Sequence, residues 1–325
     1  MPEQNILPIG FPDVLAARER LRPFLPATPM RNYPELDALA GADIRIWVKH
    51  ENHQPTNSFK VRNGLAVLTA LGAKERRRGV IAASRGNHGL GLAYAGGLLK
   101  VPVTVVIPVG NNPEKNSAMR ALGAELVEEG RDYDEAVAVA ERIAGSRGMR
   151  LVHSTNEREV IAGAATLTLE MLETEPSLGA LVFAVGGGSQ AVGAMVVASK
   201  IRPGLPIFAV QAAGASAIHD SWHRKTAVET TKADTIADGL ATRKPYALTF
   251  DSLLHGLSGF VTVTDPEIAE AIRTLLRVTH NLAEGAGAAG LAGLPKLREN
   301  LSGRCIGIVI SGGNIDQATL KKVLA

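Results

Sequence analysis

From about residue 79 onward, short apolar runs rich in β-branched residues alternate with stretches of helical periodicity. Residues 79–83 read as a strand, 89–99 as a helix and 101–107 as a strand. Pro102 stands near the start of that strand, where a missing amide is tolerated. A helix over 113–122, a strand over 124–127 and a helix over 132–143 follow, and 150–153 closes the series. A second series places a helix at 159–173, a strand at 180–185, a helix at 189–199 and a strand at 206–210. The chain then predicts a helix over 265–279, capped by Asp265 with Pro266 in its first turn, a helix over 287–299 and a strand over 305–310. The stretch 212–249 has weak periodicity and is expected to be loop-rich, covering a cleft.

This order is that of βαβ units with right-handed crossovers. Continuous apolar strands belong to parallel sheets buried on both faces. The predicted class is α/β, with two open, mostly parallel sheets flanked by helices and a cleft between them.

Composition narrows the picture further. A chain of 325 residues suffices for one large or two moderate domains, and 46% hydrophobic with 21% charged residues describes a globular chain. The 34 glycines imply many tight turns. The net charge of +3 is spread along the chain, and its densest basic run, 74–78, closes a helical pattern, where the helix dipole favours cations. No aromatics interleave with it, so no nucleic-acid partner is expected. Cys305, the only cysteine, excludes an internal disulfide and a thiolate metal cluster, and its strand-like setting predicts a buried thiol. Neither a signal-peptide pattern nor an unbroken apolar run of roughly 18 residues is present, so no membrane partner and a cytoplasmic location are expected.

Four segments carry candidate chemistry. Lys60 stands where a polar, turn-rich stretch becomes helical, against the helix dipole, which is easier to explain if its amine is covalently engaged; taken alone, a solvated lysine explains it as well. Gly186, Gly187, Gly188 and Ser189 follow a strand and open a helix, a setting in which backbone amides bind phosphate. A tight turn is the plainer alternative, but three glycines exceed its needs. Ser84-Arg85-Gly86-Asn87-His88 and Ser311-Gly312-Gly313-Asn314 also lie at the carboxyl ends of strands, where open α/β sheets bind ligands.

Together with Glu51 to Arg62, Thr235 to Leu240 and Glu284 to Ala288, these blocks resemble the fold type II, tryptophan synthase β-like, pyridoxal-phosphate enzymes. Within that group the chain is most similar to the serine/threonine dehydratase and serine racemase branch, from about residue 25 to the C-terminus. The resemblance implies pyridoxal 5'-phosphate as cofactor, with Lys60 as Schiff-base lysine and α-proton base. It implies Phe59 beside the ring, Asn87 on the ring hydroxyl, Ser311 facing the pyridine nitrogen, and Gly186, Gly187, Gly188 and Ser189 on the phosphate. Ser84, Gly86, Asn87 and His88 would take the substrate carboxylate, and Arg85 either joins them or turns to solvent. A large domain of residues 1–52 and 151–325, an inserted small domain of 53–150 and a homodimer are also implied.

The implied reaction is β-elimination from a β-hydroxy amino acid such as threonine or serine, giving a 2-oxo acid and ammonia. Variants specialised for 3-hydroxyaspartate or β-phenylserine, a β-replacement synthase and a non-catalytic scaffold are the competing readings. Three departures from the branch bear on this. Asn57 and Asn63 stand where glycines are common. Arg85 replaces a small residue and, being always charged, cannot serve as the second base of a racemase. Gln211 and Ala217 remove hard-oxygen ligands of a divalent-cation site, and His219, Asp220 and His223 read as polar loop residues, so no metal is expected. Asn57, Arg85, the stretch 212–246 and His255 are candidates for shaping the β-substituent pocket.

Overall fold

A computed structural model describes residues 6–41 and 43–325. In chain order the strands are β1 (Met30–Asn32), β2 (Arg45–His50), β3 (Val80–Ala83), β4 (Val103–Ile107), β5 (Glu125–Glu128), β6 (Arg150–Leu151), β7 (Ala180–Ala184), β8 (Ile207–Ala212), β9 (Gly259–Val263) and β10 (Cys305–Ile310). They form a six-stranded sheet in the order β1-β2-β10-β7-β8-β9 and a four-stranded sheet in the order β5-β4-β3-β6. Only β1 pairs antiparallel, with β2; every other neighbour is parallel. The smaller sheet uses consecutive strands lying between β2 and β7, so it is an insertion into the larger α/β unit. The expected class and insertion are therefore what the chain adopts. β6 straddles residue 150, the expected end of the insertion, and pairs with β3 of the smaller sheet.

The strands β3, β4 and β8 are buried at every position, as their unbroken apolar runs require when helices cover both faces. Three expectations change. Thr264, not Asp265, caps the helix Asp265–Thr279: its hydroxyl and the Glu267 carboxylate form a reciprocal capping box. Asp265 instead accepts from the Thr235 hydroxyl at 2.6 Å and the Ile236 amide at 3.1 Å, tying down the covering segment. The single helix expected over 287–299 is three pieces, Gly285–Ala292, a 3-10 turn Leu294–Leu297 and Arg298–Leu301, because Pro295 cannot donate within a helix. The stretch 212–249 holds the helix Ala217–Arg224 and the start of Ala247–Gly256. β1, β2 and β9 carry no sequence prediction; β1 is only three residues long, and β9 is half-buried at three of its five positions.

Two packing features position the site. The helices Lys60–Ala70 and Asn87–Leu99 meet through glycines: a Cβ on Gly64 would lie 2.3 Å from the Gly91 carbonyl oxygen, and one on Gly91 would lie 2.4 Å from that of Lys60. Only bare backbone allows this approach. On the opposite side of the Lys60 helix, the fully buried Arg62 guanidinium meets the buried Glu51 carboxylate at 2.8 Å and Glu170 at 2.6 Å. Glu170 also binds Lys49 of β2 at 2.6 Å. Two helices and the end of β2 are thus held in one buried ionic cluster.

Candidate active site

Lys60 opens its helix directly above the end of β10. The preceding residues are pinned there: Ser58 bridges Gly312, the Phe59 amide donates to the Ser311 carbonyl at 3.0 Å, and the Gly313 amide donates to that of Asn57 at 2.9 Å. Asn57 adopts φ 52°, a left-handed conformation that asparagine tolerates better than most residues. That explains why asparagine stands at a position where relatives carry glycine. The Lys60 ammonium donates to the Ser154 carbonyl at 2.9 Å and lies 4.9 Å from the centre of the Phe59 ring. Burial lowers its pKa to about 8, and the nearby Glu284 carboxylate opposes the shift. The charge that a helix N-terminus disfavours is therefore already partly relieved.

The glycine loop follows β7. The Thr242 hydroxyl donates to the Gly186 carbonyl at 3.1 Å, and the Thr249 hydroxyl donates to that of Gly187 at 2.8 Å. In a trans peptide the next N–H points opposite to the C=O. These two threonines, on the covering segment, therefore fix the peptide planes of the glycine loop. The helix Ser189–Ile201 begins here, and Val192 is the first residue to close a bond back onto the loop, at Gly188. Amides before it have no intrahelical acceptor, which is an anion-binding arrangement. Side chains cannot be added: a Cβ on Gly186 would sit 2.2 Å from the Gly239 carbonyl oxygen and one on Gly187 would sit 2.2 Å from the Thr155 hydroxyl. The glycines are required both by this close packing and by the open cradle.

The loop 84–88 faces the same cavity. The Ser84 hydroxyl accepts from the amides of Gly86 and Gly89 at 3.1 and 2.9 Å, so it staples the loop. Asn87 donates to Glu284 at 2.5 Å and accepts from the Asn314 amide at 2.7 Å. His88 is buried, and desolvation together with the Lys60 charge pushes its pKa down to about 3, leaving it neutral. Its Nε2 contacts the Val152 carbonyl at 3.3 Å, and its buried Nδ1 has no partner among the described residues. Arg85 is exposed at the mouth, where the cavity meets an outer vestibule lined also by Lys232, Arg243 and Lys244. Ser311 is buried against the cavity wall.

The residues expected to hold the cofactor and the substrate carboxylate thus all line one cavity of about 160 Å³ between the two sheets. Asn57 and His255 do not line it, against expectation: Asn57 serves the turn, and the His255 ring contacts the Asp251 carbonyl at 2.9 Å on its own helix. Sequence reasoning assigned no role to Glu284, Ser154, Thr155 and Tyr133, which do line it, as does Tyr246 of the stretch 212–246 expected to shape the pocket. The block at Glu284 carried a motif signal, whereas Ser154, Thr155 and Tyr133 lie outside every motif. Away from the cavity, Gln211 accepts from the His219 amide at 2.9 Å, His219 meets Asp220 at 3.0 Å and His223 meets the Phe260 carbonyl at 3.2 Å. No group of three or more potential metal ligands occurs among the described residues.

An amine with a depressed pKa, a phosphate cradle and a glycine-tethered loop in one cavity fit pyridoxal phosphate, and residues 21–312 match the family described as pyridoxal-phosphate dependent enzyme. The chain belongs to that family. Among relatives of this pyridoxal-phosphate enzyme, L-threonine ammonia-lyase of Thermotoga maritima is 36% identical over 97% of this chain and 78% of its own. L-threo-3-hydroxyaspartate ammonia-lyase of a Pseudomonas species is 32% identical over 94% and 96%. The structure of maize serine racemase superposes with a TM-score of 0.92 at 26% identity, covering 97% of this chain and 96% of that one. The protein is a fold type II pyridoxal-phosphate lyase of the dehydratase and racemase branch, acting by β-elimination on small amino acids. No helix among the described residues is long and apolar enough to cross a membrane.

Proposed function

We propose that the protein dehydrates and deaminates a β-hydroxy amino acid such as threonine or serine to a 2-oxo acid and ammonia. The observation that carries this reading is the Lys60 amine, lowered to about 8, in the same cavity as the glycine cradle. When bound, the cofactor supplies an electron sink for charge that develops at the substrate α-carbon. Lys60 holds it and, once displaced, takes the α-proton, a task that a lysine of ordinary pKa performs poorly at neutral pH. Gly186, Gly187, Gly188 and Ser189 would hold its phosphate, Phe59 would pack beside its ring, and Asn87 and Ser311 would hydrogen-bond its polar groups. Ser311 is a neutral partner, which favours elimination over transamination. The amides of Gly86 and Asn87, with His88, receive the substrate carboxylate, while Ser84 keeps their loop in shape. Arg85 cannot accept a proton, so racemisation is not part of the reading.

Two observations leave room for a larger β-substituent than hydrogen or methyl. Tyr133 and Tyr246 both line the cavity and suit an aromatic ring, as in β-phenylserine. Arg85, at the mouth, suits a β-carboxylate, as in 3-hydroxyaspartate. A panel of β-hydroxy amino acids, with both β-epimers, assayed for 2-oxo acid and ammonia decides among them. Lys60→Ala abolishes release from every member; full turnover of that variant overturns the assignment. The same reading includes a cytoplasmic homodimer, which sedimentation tests by a mass twice that of the 34.2 kDa chain.

A further inference from the structure

We propose that Tyr133 is a further catalytic residue, donating its phenolic proton to the substrate's β-oxygen as that oxygen leaves. The inference rests on the dehydratase reading and does not depend on which substituent the β-carbon carries. Tyr133 is the first residue of the helix Tyr133–Arg147, which packs on the smaller sheet. Its ring enters the cavity that holds Lys60. Its hydroxyl has one partner among the described residues, the Ser154 hydroxyl, at 3.4 Å. That long contact leaves the phenol free to turn to a better acceptor. The carbonyl of the same Ser154 holds the Lys60 amine at 2.9 Å. The phenol and the base that takes the α-proton are therefore separated by a single residue.

Other side chains that could serve as the acid are engaged elsewhere. His153 accepts from the amides of Thr155 and Asn156 at 3.0 and 2.8 Å through Nδ1, which fixes it as a neutral loop staple. His88 is buried beside Lys60 and neutral. The Ser84 hydroxyl is consumed within its loop. Asp238 lies in an ion pair with Lys115 at 2.6 Å, and Glu284 is engaged by Asn87. Tyr246 faces the same space but belongs to the covering segment, with its ring edge-on to His153 at 4.7 Å. Burial raises the Tyr133 pKa, so the phenol holds its proton until a strong acceptor forms beside it.

The step balances as follows. The Lys60 amine takes the α-proton, and the C–H electron pair becomes the new Cα–Cβ double bond. The Cβ–O bond breaks with its pair on oxygen, the phenol proton joins that oxygen, and water leaves. The phenolate recovers a proton from solvent, the Lys60 ammonium gives its proton up to solvent, and both groups return to their starting states.

Leaving groups that need no proton provide the test. Wild type and Tyr133→Phe are compared on L-serine and on β-chloro-L-alanine, whose chloride departs unprotonated. Serine kcat falls on the order of 100-fold, the usual worth of a positioned acid, while chloroalanine kcat stays within about threefold. Glycine, which has no β-carbon, binds within about twofold of wild type by calorimetry, an intact-cleft readout independent of turnover. Ser154→Ala keeps the carbonyl that holds Lys60 and repeats the pattern with a smaller serine loss. Equal losses on both substrates, or none on either, overturn the role of Tyr133 and leave the dehydratase reading standing. A wild-type protein that releases 2-oxo acid from no β-substituted amino acid overturns both.

Discussion

A lysine in the first turn of a helix faces the positive end of the helix dipole. In this chain burial resolves the conflict by bringing the Lys60 amine to about 8. The neutral, nucleophilic fraction therefore becomes appreciable near physiological pH and grows as pH rises toward 8. Cofactor capture by the stripped protein, followed by absorbance, is expected to accelerate with rising pH and level off above about 8. A rise still continuing toward the ordinary lysine value of about 10.5 sinks that account. At the same scale Asn57 shows how a motif departure is absorbed: its left-handed φ of 52° is the conformation a glycine would supply. Asn63, the other departure, is wholly buried with both amide atoms unpartnered among the described residues, and nothing in the structure explains it.

Among elements, the decisive contact is the glycine-to-glycine crossing of the helices Lys60–Ala70 and Asn87–Leu99. It brings the amine and the 84–88 loop into one cavity. Gly91→Ala places a methyl 2.4 Å from the Lys60 carbonyl oxygen, against backbone that cannot rotate away. The helices must part, so the variant is expected to lose about 1–3 kcal/mol in urea unfolding. Cofactor affinity falls with it, because Lys60 moves; a variant with unchanged midpoint and affinity shows that the crossing is slack. Element type was largely legible in the sequence, since apolar runs and helical periods are local signals. The cap at Thr264 and the break near Pro295 were not read correctly, because Asp265 is an equally good local cap until Thr235 and Ile236 claim its carboxylate.

At the scale of the molecule, the two sheets enclose the cavity and ion pairs cross its mouth. Lys115 meets Asp238, and Arg243 meets Asp132 and Asp134. Deeper, Arg62 ties the Lys60 helix to Glu51, beyond β2, and to Glu170. The adjacent guanidinium holds the Glu51 carboxyl below its ordinary pKa despite complete burial. Arg62→Leu leaves that carboxylate without its cation, a loss expected to cost about 3–5 kcal/mol in chemical unfolding. The loss shrinks at acid pH, where Glu51 of the variant takes up a proton; a change under about 1 kcal/mol makes the cluster dispensable.

By itself the sequence determined the α/β class and the glycine-rich loops at strand ends, while Lys60 as cofactor lysine came from the family resemblance. The class and the loops are local signals, written in the period and spacing of consecutive residues. The tertiary structure alone decided that Thr242 and Thr249 hold the carbonyls of the glycine loop, that Arg62 anchors the lysine helix, and that Ser154 stands between Lys60 and Tyr133. Those residues come from segments distant in the chain, with no common period. Only the closing of one sheet against the other makes them neighbours.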